Sequence, residues 1–309
     1  MNNYLYKILR KTKILPQKLF VKLHYKHFTG KELNLKDPRD FNEKIQWLKV
    51  YFKPAILNKL VDKYDVREYV TEKAGKQYLN EVYGVYETVE AIDFAALPKR
   101  FVLKATHGYN MNIVVRDKSK LNKEWAKETV AIWLKVNHYN AGMEWAYKDI
   151  KPRIIAENFL EEKDKSTIND YKFFCFDGNP MFLTVDFDRG NNHCKFYYDT
   201  EWNKLPFAKK GYSEGENGMD KPPRFEEMVE IAKKLSADFP FVRVDLYNIN
   251  GEIVFGEMTF YPADGKTEFD PESYNRTLGD YIKLPRIPAG KKMITSLSQH
   301  VQPLRKASI

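Results

Sequence analysis

Between Phe241 and Gly265 the chain reads FVRVDLYNINGEIVFGEMTFYPADG, two apolar runs around an Asn–Gly turn signal. This pattern predicts two strands joined by a tight turn at Asn248–Gly251, a hairpin that commits the region to antiparallel sheet. The first strand carries Arg243 and Asp245, and the second ends in Glu257 followed by Thr259. Once the turn closes, two carboxylates come near each other with a guanidinium beside them. Buried carboxylates without compensation are costly, and a divalent cation offsets that cost. Two hard oxygen ligands and a cation suit Mg2+ and a polyphosphate. Neutralisation of the pair by Arg243 alone is the structural alternative.

The length of 309 residues allows two lobes and a sizeable core, which 20 Tyr and 20 Phe are available to fill. No apolar run is long enough to span a bilayer. The opening MNNYLYKILRKTKILPQKLF lacks the apolar core and small-residue cleavage site of a signal peptide. Cys175 and Cys194 are the only cysteines, too few for a disulfide framework, so a reducing cytoplasm is expected. The formal charge of +9 is uneven, because residues 1–31 hold eight Lys/Arg and no acid. Such a leader suits an acidic polymer, or peripheral contact with anionic lipid at the inner face of the membrane. Nucleic acid is the partner supported least, since no recognition motif interleaves the basic residues.

Along the chain, the first 60 residues read as interrupted helix, with a cap-like Asp40 or Asn42 ahead of Ile45, Trp47, Leu48 and Phe52. LVDKYDVREYVTEKAG has helical spacing and stops at Gly75. FVLKATHGYNMNIVVRD is strand, glycine-bearing loop, strand, and LNKEWAKETVAIWLKVN is an amphipathic helix. RIIAENFLEE is a buried strand entering a polar linker, and DYKFFCFDGNPMFLTVDFD is a hairpin around Asp177–Gly178–Asn179. RFEEMVEIAKKLSADF is a further helix, and the basic stretch beyond Pro285 reads as loose. Consecutive hairpins with intervening helices predict an α+β fold of antiparallel sheets. The expected division is a basic helical leader at 1–60, a catalytic region at 61–285 with lobes 61–155 and 156–285, and a basic tail at 286–309. Neither a G-x-G-x-x-G nor a Walker sequence occurs, which removes Rossmann and P-loop phosphate binding.

Several short constellations carry candidate chemistry. Lys104 leaves the strand FVLK ahead of a loop in which Gly108 permits close backbone approach and Thr106, His107, Asn110 and Asn112 offer donors. Where RIIAENFLEE turns polar, Glu157, Asn158, Phe159 and Leu160 suit an adenine slot of backbone groups and apolar covers. Asp170 and Lys172 alternate, so they share one face of a strand, while Asp62 and Lys63 form a similar pair on an early helix. Asp186-Phe187-Asp188 is a D-x-D that could hold a metal and a nucleotide sugar. His193 and Cys194 have no partner at zinc spacing.

Taken in order, DPRDFNEKIQWLK, LVDKYDVREYV, FVLKATHGYN, ENFLEE, DYKFFCFDG, VRVDLY and GEMTFYPADG resemble the TupA-like ATP-grasp family, named for teichuronopeptide biosynthesis. The likeness runs from about Asp37 to Pro285. It implies two α+β lobes with antiparallel sheets clasping ATP, preceded by a helical segment. It also implies an ATP- and Mg2+-dependent carboxylate–amine ligase working through an acyl phosphate, on a uronic acid or related carboxylate and an amino acid or other amine of cell-surface polysaccharide. By position, Lys63 and Lys104 would contact the nucleotide, Thr106 to Asn110 would cover its phosphates, and Glu157, Asn158 and Leu160 would form the adenine hinge. Asp170 would reach the ribose with Lys172 beside it, Arg243 would face the phosphates, and Asp245 and Glu257 would hold Mg2+. Thr259 stands where many such enzymes have asparagine, as the last oxygen donor to the metal. The alternative in the same biological setting is a glycosyltransferase using Asp186 and Asp188 as its metal site.

Overall fold

The computed structural model describes Tyr6 and residues 15–162, 167–187, 193–212 and 218–299. From residue 15 onward the chain opens with α1 (Gln17–Thr29), α2 (Phe41–Tyr51), α3 (Ile56–Val61) and α4 (Val66–Lys73). Then follow β1 (Val82–Tyr86), β2 (Phe101–Ala105), β3 (Asn112–Val115), α5 (Lys123–Trp133), α6 (Tyr139–Gly142) and β4 (Ile154–Asn158). The second half holds β5 (Asp170–Phe176), β6 (Asn179–Phe187), β7 (Cys194–Asp199), β8 (Ala208–Lys209) and α7 (Phe225–Ser236). It closes with β9 (Phe241–Ile249), β10 (Glu252–Thr259), β11 (Phe269–Asp270) and α8 (Tyr274–Tyr281).

Two antiparallel sheets dominate, as the hairpin signals require. One has the order β1-β4-β2-β3 and the other β10-β9-β5-β6-β7, with β11-β8 as a minor pair. Both two-residue turns of the larger sheet use left-handed backbone, Asp177–Gly178 (φ 51° and 77°) and Asn250–Gly251 (φ 54° and 92°). That conformation matches the twist of the flanking strands, which is why Asp-Gly and Asn-Gly stand there. Asn248 reinforces the second turn by accepting the Gly251 N–H at 2.8 Å.

The reading of residues 60–75 as one helix is corrected. The chain breaks between α3 and α4, where the Asp62 carboxylate accepts the backbone N–H groups of Tyr64 and Asp65 at 2.8 and 2.9 Å. An aspartate offering its own oxygens to nearby amides competes with the helical ladder and wins here. The break turns Lys63 out of the helix and towards the end of β2, where its N–H reaches the carbonyl of the following Thr106 at 3.1 Å.

The apolar core is divided. Ile92, Leu103, Ile113, Val130 and Ile154 pack α5 against the smaller sheet. Residues of α1 to α4, such as Phe20, Phe41, Leu57 and Val70, join the larger sheet and α7 in a second core. Beyond Pro285 the described chain is not loose. Ile294 is fully buried and exchanges backbone hydrogen bonds with Tyr51 and Lys53 at 2.8 and 2.7 Å. One apolar side chain in a slot beside α2 anchors that segment against its basic neighbours' preference for water.

Candidate active site between the two sheets

The hairpin end is built by an irregularity. Ile249 pairs with Glu252 and Leu246 with Phe255, but after Gly256 the register shifts and Glu257 stands opposite Asp245, Thr259 opposite Arg243. Side chains directly opposite in an antiparallel pair share a face, and one extra residue decides which face that is. A Cβ at position 256 would lie 3.0 Å from the Asp245 carbonyl, so glycine suits the bulge. Arg243 then forks onto Asp245, Nε to Oδ1 at 2.7 Å and Nη2 to Oδ2 at 2.5 Å. Its Nη2 also reaches Glu257 Oε1 at 3.3 Å and Thr259 Oγ1 at 3.1 Å.

Lys63 closes this group from the small-lobe side. Its ammonium donates to the Gly108 carbonyl at 2.6 Å and lies 3.5 Å from Glu257. Burial pushes the Glu257 carboxyl upward, but Lys63, Arg243 and Lys172 outweigh it and hold the group at about 2. Glu257 is therefore ionised at neutral pH, and a third of its side chain remains open to the cleft.

At the other end lies a slot of about 360 Å3 between the sheets, lined by Val102, Lys104, Asn112, Asn158, Leu160 and Tyr247 among others. Lys104 pairs with Glu157 at 2.7 Å. Burial alone would lower that ammonium, yet Glu157 chiefly holds it above the ordinary lysine range. Phe159 is covered by Arg100 and Arg116, whose guanidinium carbons stand 5.7 and 5.1 Å from the ring centroid. Tyr247 was legible but not singled out. Arg243, Asp245 and Tyr247 alternate on one face of β9, so the strand that carries Asp245 also supplies a wall of the slot. Arg116 carried no comparable signal, because only the strand order of the smaller sheet, with β3 and β4 on either side of β2, brings it to Phe159.

The remaining sequence candidates fall in different places. Gly108 and Asn110 stay in the loop after β2, Asn110 exposed and left-handed at φ 57°. A Cβ on Gly108 would collide with the His138 imidazole at 1.8 Å, so a larger residue there would displace that ring. Thr106 and His107 are buried, and His107 Nε2 lies 3.0 Å from the Trp133 carbonyl, so the His107 ring turns into the small lobe rather than the cleft. Asp170 and Lys172 pair with each other below the slot, and Lys172 continues to Asp186 at 3.2 Å and Asp245 at 3.3 Å. Asp186 is further held by Lys195 and His193, each at 2.9 Å. Two lysines and the His193 ring thus engage the Asp186 carboxylate, and Asp188 lies outside the described residues.

Among the described residues no group of three or more His, Cys, Asp or Glu could hold a metal ion by itself. The donors at the hairpin end, two carboxylates and a hydroxyl, fit magnesium of the kind that completes its shell with phosphate oxygens and water. Glu257 has the open oxygens; Asp245 is within the same set but engaged by Arg243 and Lys172.

A nucleotide-sized slot, cationic side chains beyond it and a hard-oxygen pair between two antiparallel sheets define the ATP-grasp class of ATP- and Mg2+-dependent ligases. A family model described as TupA-like ATP-grasp matches residues 43–283, and the chain belongs to that family. No curated protein matches the sequence. Solved structures with similar chain traces include D-alanine–D-alanine ligase from Helicobacter pylori, at 16% identity over 80% of this chain and 70% of that one, TM-score 0.40. D-alanine–D-alanine ligase from Bacillus anthracis follows at 14% identity over 79% and 69%, TM-score 0.38. N5-carboxyaminoimidazole synthase from Aspergillus clavatus is similar at 14% identity over 78% and 57%, TM-score 0.39. Scores of this size carry no weight beside the family match.

Proposed function

We propose that the protein joins a carboxylate to an amine through an acyl phosphate, the carboxylate being a uronic acid or relative and the amine an amino acid or other amine of cell-surface polysaccharide assembly. The observation that carries this reading is the position of Glu257, Thr259 and Arg243. They line a second cavity of about 430 Å3 and so belong both to the metal end of the nucleotide cleft and to a space for other substrates.

In this reading Lys104, Asn158, Leu160 and Tyr247 hold the base and sugar, and Lys63 and Arg243 neutralise the phosphates. Glu257, with Asp245 and Thr259, would hold magnesium, which would supply charge neutralisation to the polyphosphate. Thr106, His107, Asp170 and Lys172 act by shaping the glycine loop and the floor of the cleft. A carboxylate oxygen attacks the γ-phosphorus, the bond to the bridging oxygen breaks, and ADP leaves. The amine nitrogen then attacks the acyl carbon, the C–O bond to phosphate breaks, and the departing phosphate takes the nitrogen's surplus proton. No protein nucleophile is required; positioning and charge do the chemistry. The loop from Thr106 to Asn110, held down by Lys63, excludes water from the acyl phosphate.

No helix among the described residues is long and apolar enough to cross a membrane. The buried face of α1 leaves Lys18, Lys22 and Lys26 exposed, which suits a cytoplasmic enzyme resting on an acidic glycan or on anionic lipid at the inner membrane face. The discriminating experiment is thermal stabilisation. ATP with Mg2+ raises the melting temperature, Glu257→Ala abolishes the shift, and ADP release requires both a uronate and an amine. Stabilisation by UDP-sugars in place of ATP would restore the glycosyltransferase reading.

A further inference from the structure

Tyr109 and Tyr147 line the second cavity together with Arg243, Glu257 and Thr259. The cations around that space are engaged by acids of the protein itself. Arg243 forks onto Asp245 and reaches Glu257. Asp264, in the loop after β10, is a hub that meets Lys266 at 2.8 Å, His24 Nε2 at 2.6 Å and the fully buried Lys49 of α2. The hydroxyls are mostly engaged as well. Thr259 Oγ1 lies 3.1 Å from Arg243 Nη2 and 3.3 Å from Glu257, and the Tyr6 hydroxyl lies 2.6 Å from His24 Nδ1. The Tyr261 hydroxyl is sealed by burial. Tyr147 differs from all of these. Its hydroxyl has no hydrogen-bond partner among the described residues, and its oxygen is not sealed, so it opens into the cavity.

This hydroxyl is held in place from behind. Tyr147 ends a single 3-10 turn, Trp145–Tyr147, with its N–H on the Glu144 carbonyl at 3.0 Å. Asn58 of α3 donates its side-chain amide to the carbonyls of Trp145 and Ala146 at 3.0 and 3.1 Å, and to that of Lys148. The ammonium groups of Lys53 and Lys148 stand 5.2 and 5.0 Å from the Trp145 ring centroid. The Tyr147 ring meets the glycine loop through Tyr109, edge-on at 6.3 Å, and packs on His138 at 5.9 Å. A turn fixed at so many points gives its one open polar group a set position, which a preorganised donor requires. Burial, followed by the charges of Glu257 and Glu144, pushes the phenol well above its ordinary value, so it keeps its proton at neutral pH.

We propose that Tyr147 is a further catalytic residue, whose O–H donates to the substrate carboxylate oxygen that does not attack ATP and that becomes the acyl oxygen. The inference rests on the ligase reading above and adds to it a residue outside the nucleotide machinery. In the first step this hydrogen bond orients the carboxylate, leaving its other oxygen to attack the γ-phosphorus. In the second step the amine nitrogen adds to the acyl carbon and the C=O π pair moves onto the acyl oxygen. Tyr147 stabilises that oxyanion by hydrogen bonding and keeps its own proton. The pair returns to rebuild C=O as the C–O bond to phosphate breaks. A donor aimed where negative charge develops helps the transition state more than the ground state.

The test is Tyr147→Phe, which keeps the ring and its contacts with Tyr109 and His138. Protein loaded with Mg2+ and a non-hydrolysable ATP analogue is titrated calorimetrically with D-glucuronate. The variant binds it about tenfold more weakly than the unaltered protein, while analogue affinity and melting temperature stay the same. ADP release with D-glucuronate and hydroxylamine falls further, on the order of a hundredfold, because the oxyanion contact is lost as well. ADP release that survives the substitution at full rate, no binding of D-glucuronate to the unaltered protein, or an equal loss of analogue affinity overturns the proposal. Glucuronate binding that depends on the Tyr147 hydroxyl, with no ADP release from the unaltered protein for any amine, counts against the ligase reading and leaves the contact standing.

Discussion

Glu257 faces Asp245 because Gly256 bulges. The register set by the Asn250–Gly251 turn would place residue 256 opposite Asp245 and send Glu257 to the other face of the sheet. One inserted residue moves the second carboxylate to the side that also carries Arg243 and Tyr247. The proposed metal end of the cleft thus depends on a backbone detail more than on the presence of two acids.

Gly256→Ala tests that dependence. The added methyl lies against the Asp245 carbonyl. Overpacking of this kind costs about 1–3 kcal/mol, so the melting temperature falls by several degrees. The larger effect is on ligand response: the Mg2+-dependent part of ATP stabilisation drops out, while metal-free ATP binding survives. Calorimetry with and without Mg2+ separates the two, and equal losses in both would show that the bulge serves folding only.

Glu257→Gln keeps volume and removes charge. Phosphoryl transfer relies on neutralised oxygens, and loss of one such contact costs roughly 10²–10³ in turnover. ADP release is expected to fall by that factor with the fold intact. The same variant changes the acid limb of stability. Glu257 is depressed to about 2 in the folded chain from 4.5, so its contribution is present above about 4.5 and fades as pH falls towards 2. Denaturation curves for Glu257→Gln should lose that stretch of pH dependence, and parallel curves for both proteins would contradict it.

Lys104→Met removes the slot's cation and leaves Glu157 buried without its partner at 2.7 Å. An unpaired buried carboxylate and a lost nucleotide contact together weaken ATP binding by about ten- to a hundredfold. Dissociation constants for ATP and ADP measure this directly. Restoration of binding by the double change Lys104→Met with Glu157→Gln would show that the unpaired acid dominates.

His138 lies beneath the glycine loop, its ring in contact with Tyr109 at a centroid distance of 4.5 Å. Burial, with His107 and Lys63 adding repulsion, lowers it from 6.5 to about 4. A base depressed on folding takes up its proton more readily when unfolded, so its contribution is whole above 6.5 and lost as pH falls towards 4. His138→Asn should flatten stability across that window. An unchanged slope between pH 6.5 and 4 would exclude His138 as its source.

Much of the antiparallel architecture was readable because hairpins announce themselves locally. Asp-Gly and Asn-Gly turns between apolar runs need left-handed backbone and little else, and the family likeness of seven ordered segments extended them to a cleft. Lys104, Glu157, Asn158 and Leu160 were legible for the same reason, as residues at strand ends. Other features depend on contacts between segments distant in sequence. The meeting of Lys63 with Glu257, the burial of Thr106 and His107, and the Asp264 hub joining α1, α2 and the loop after β10 follow no local rule. Local chemistry chooses turns and strands, so the sequence by itself determined a pair of acids on a hairpin within an ATP-grasp chain. Which face those acids share, and which charges surround them, was decided only when register and packing were settled in three dimensions.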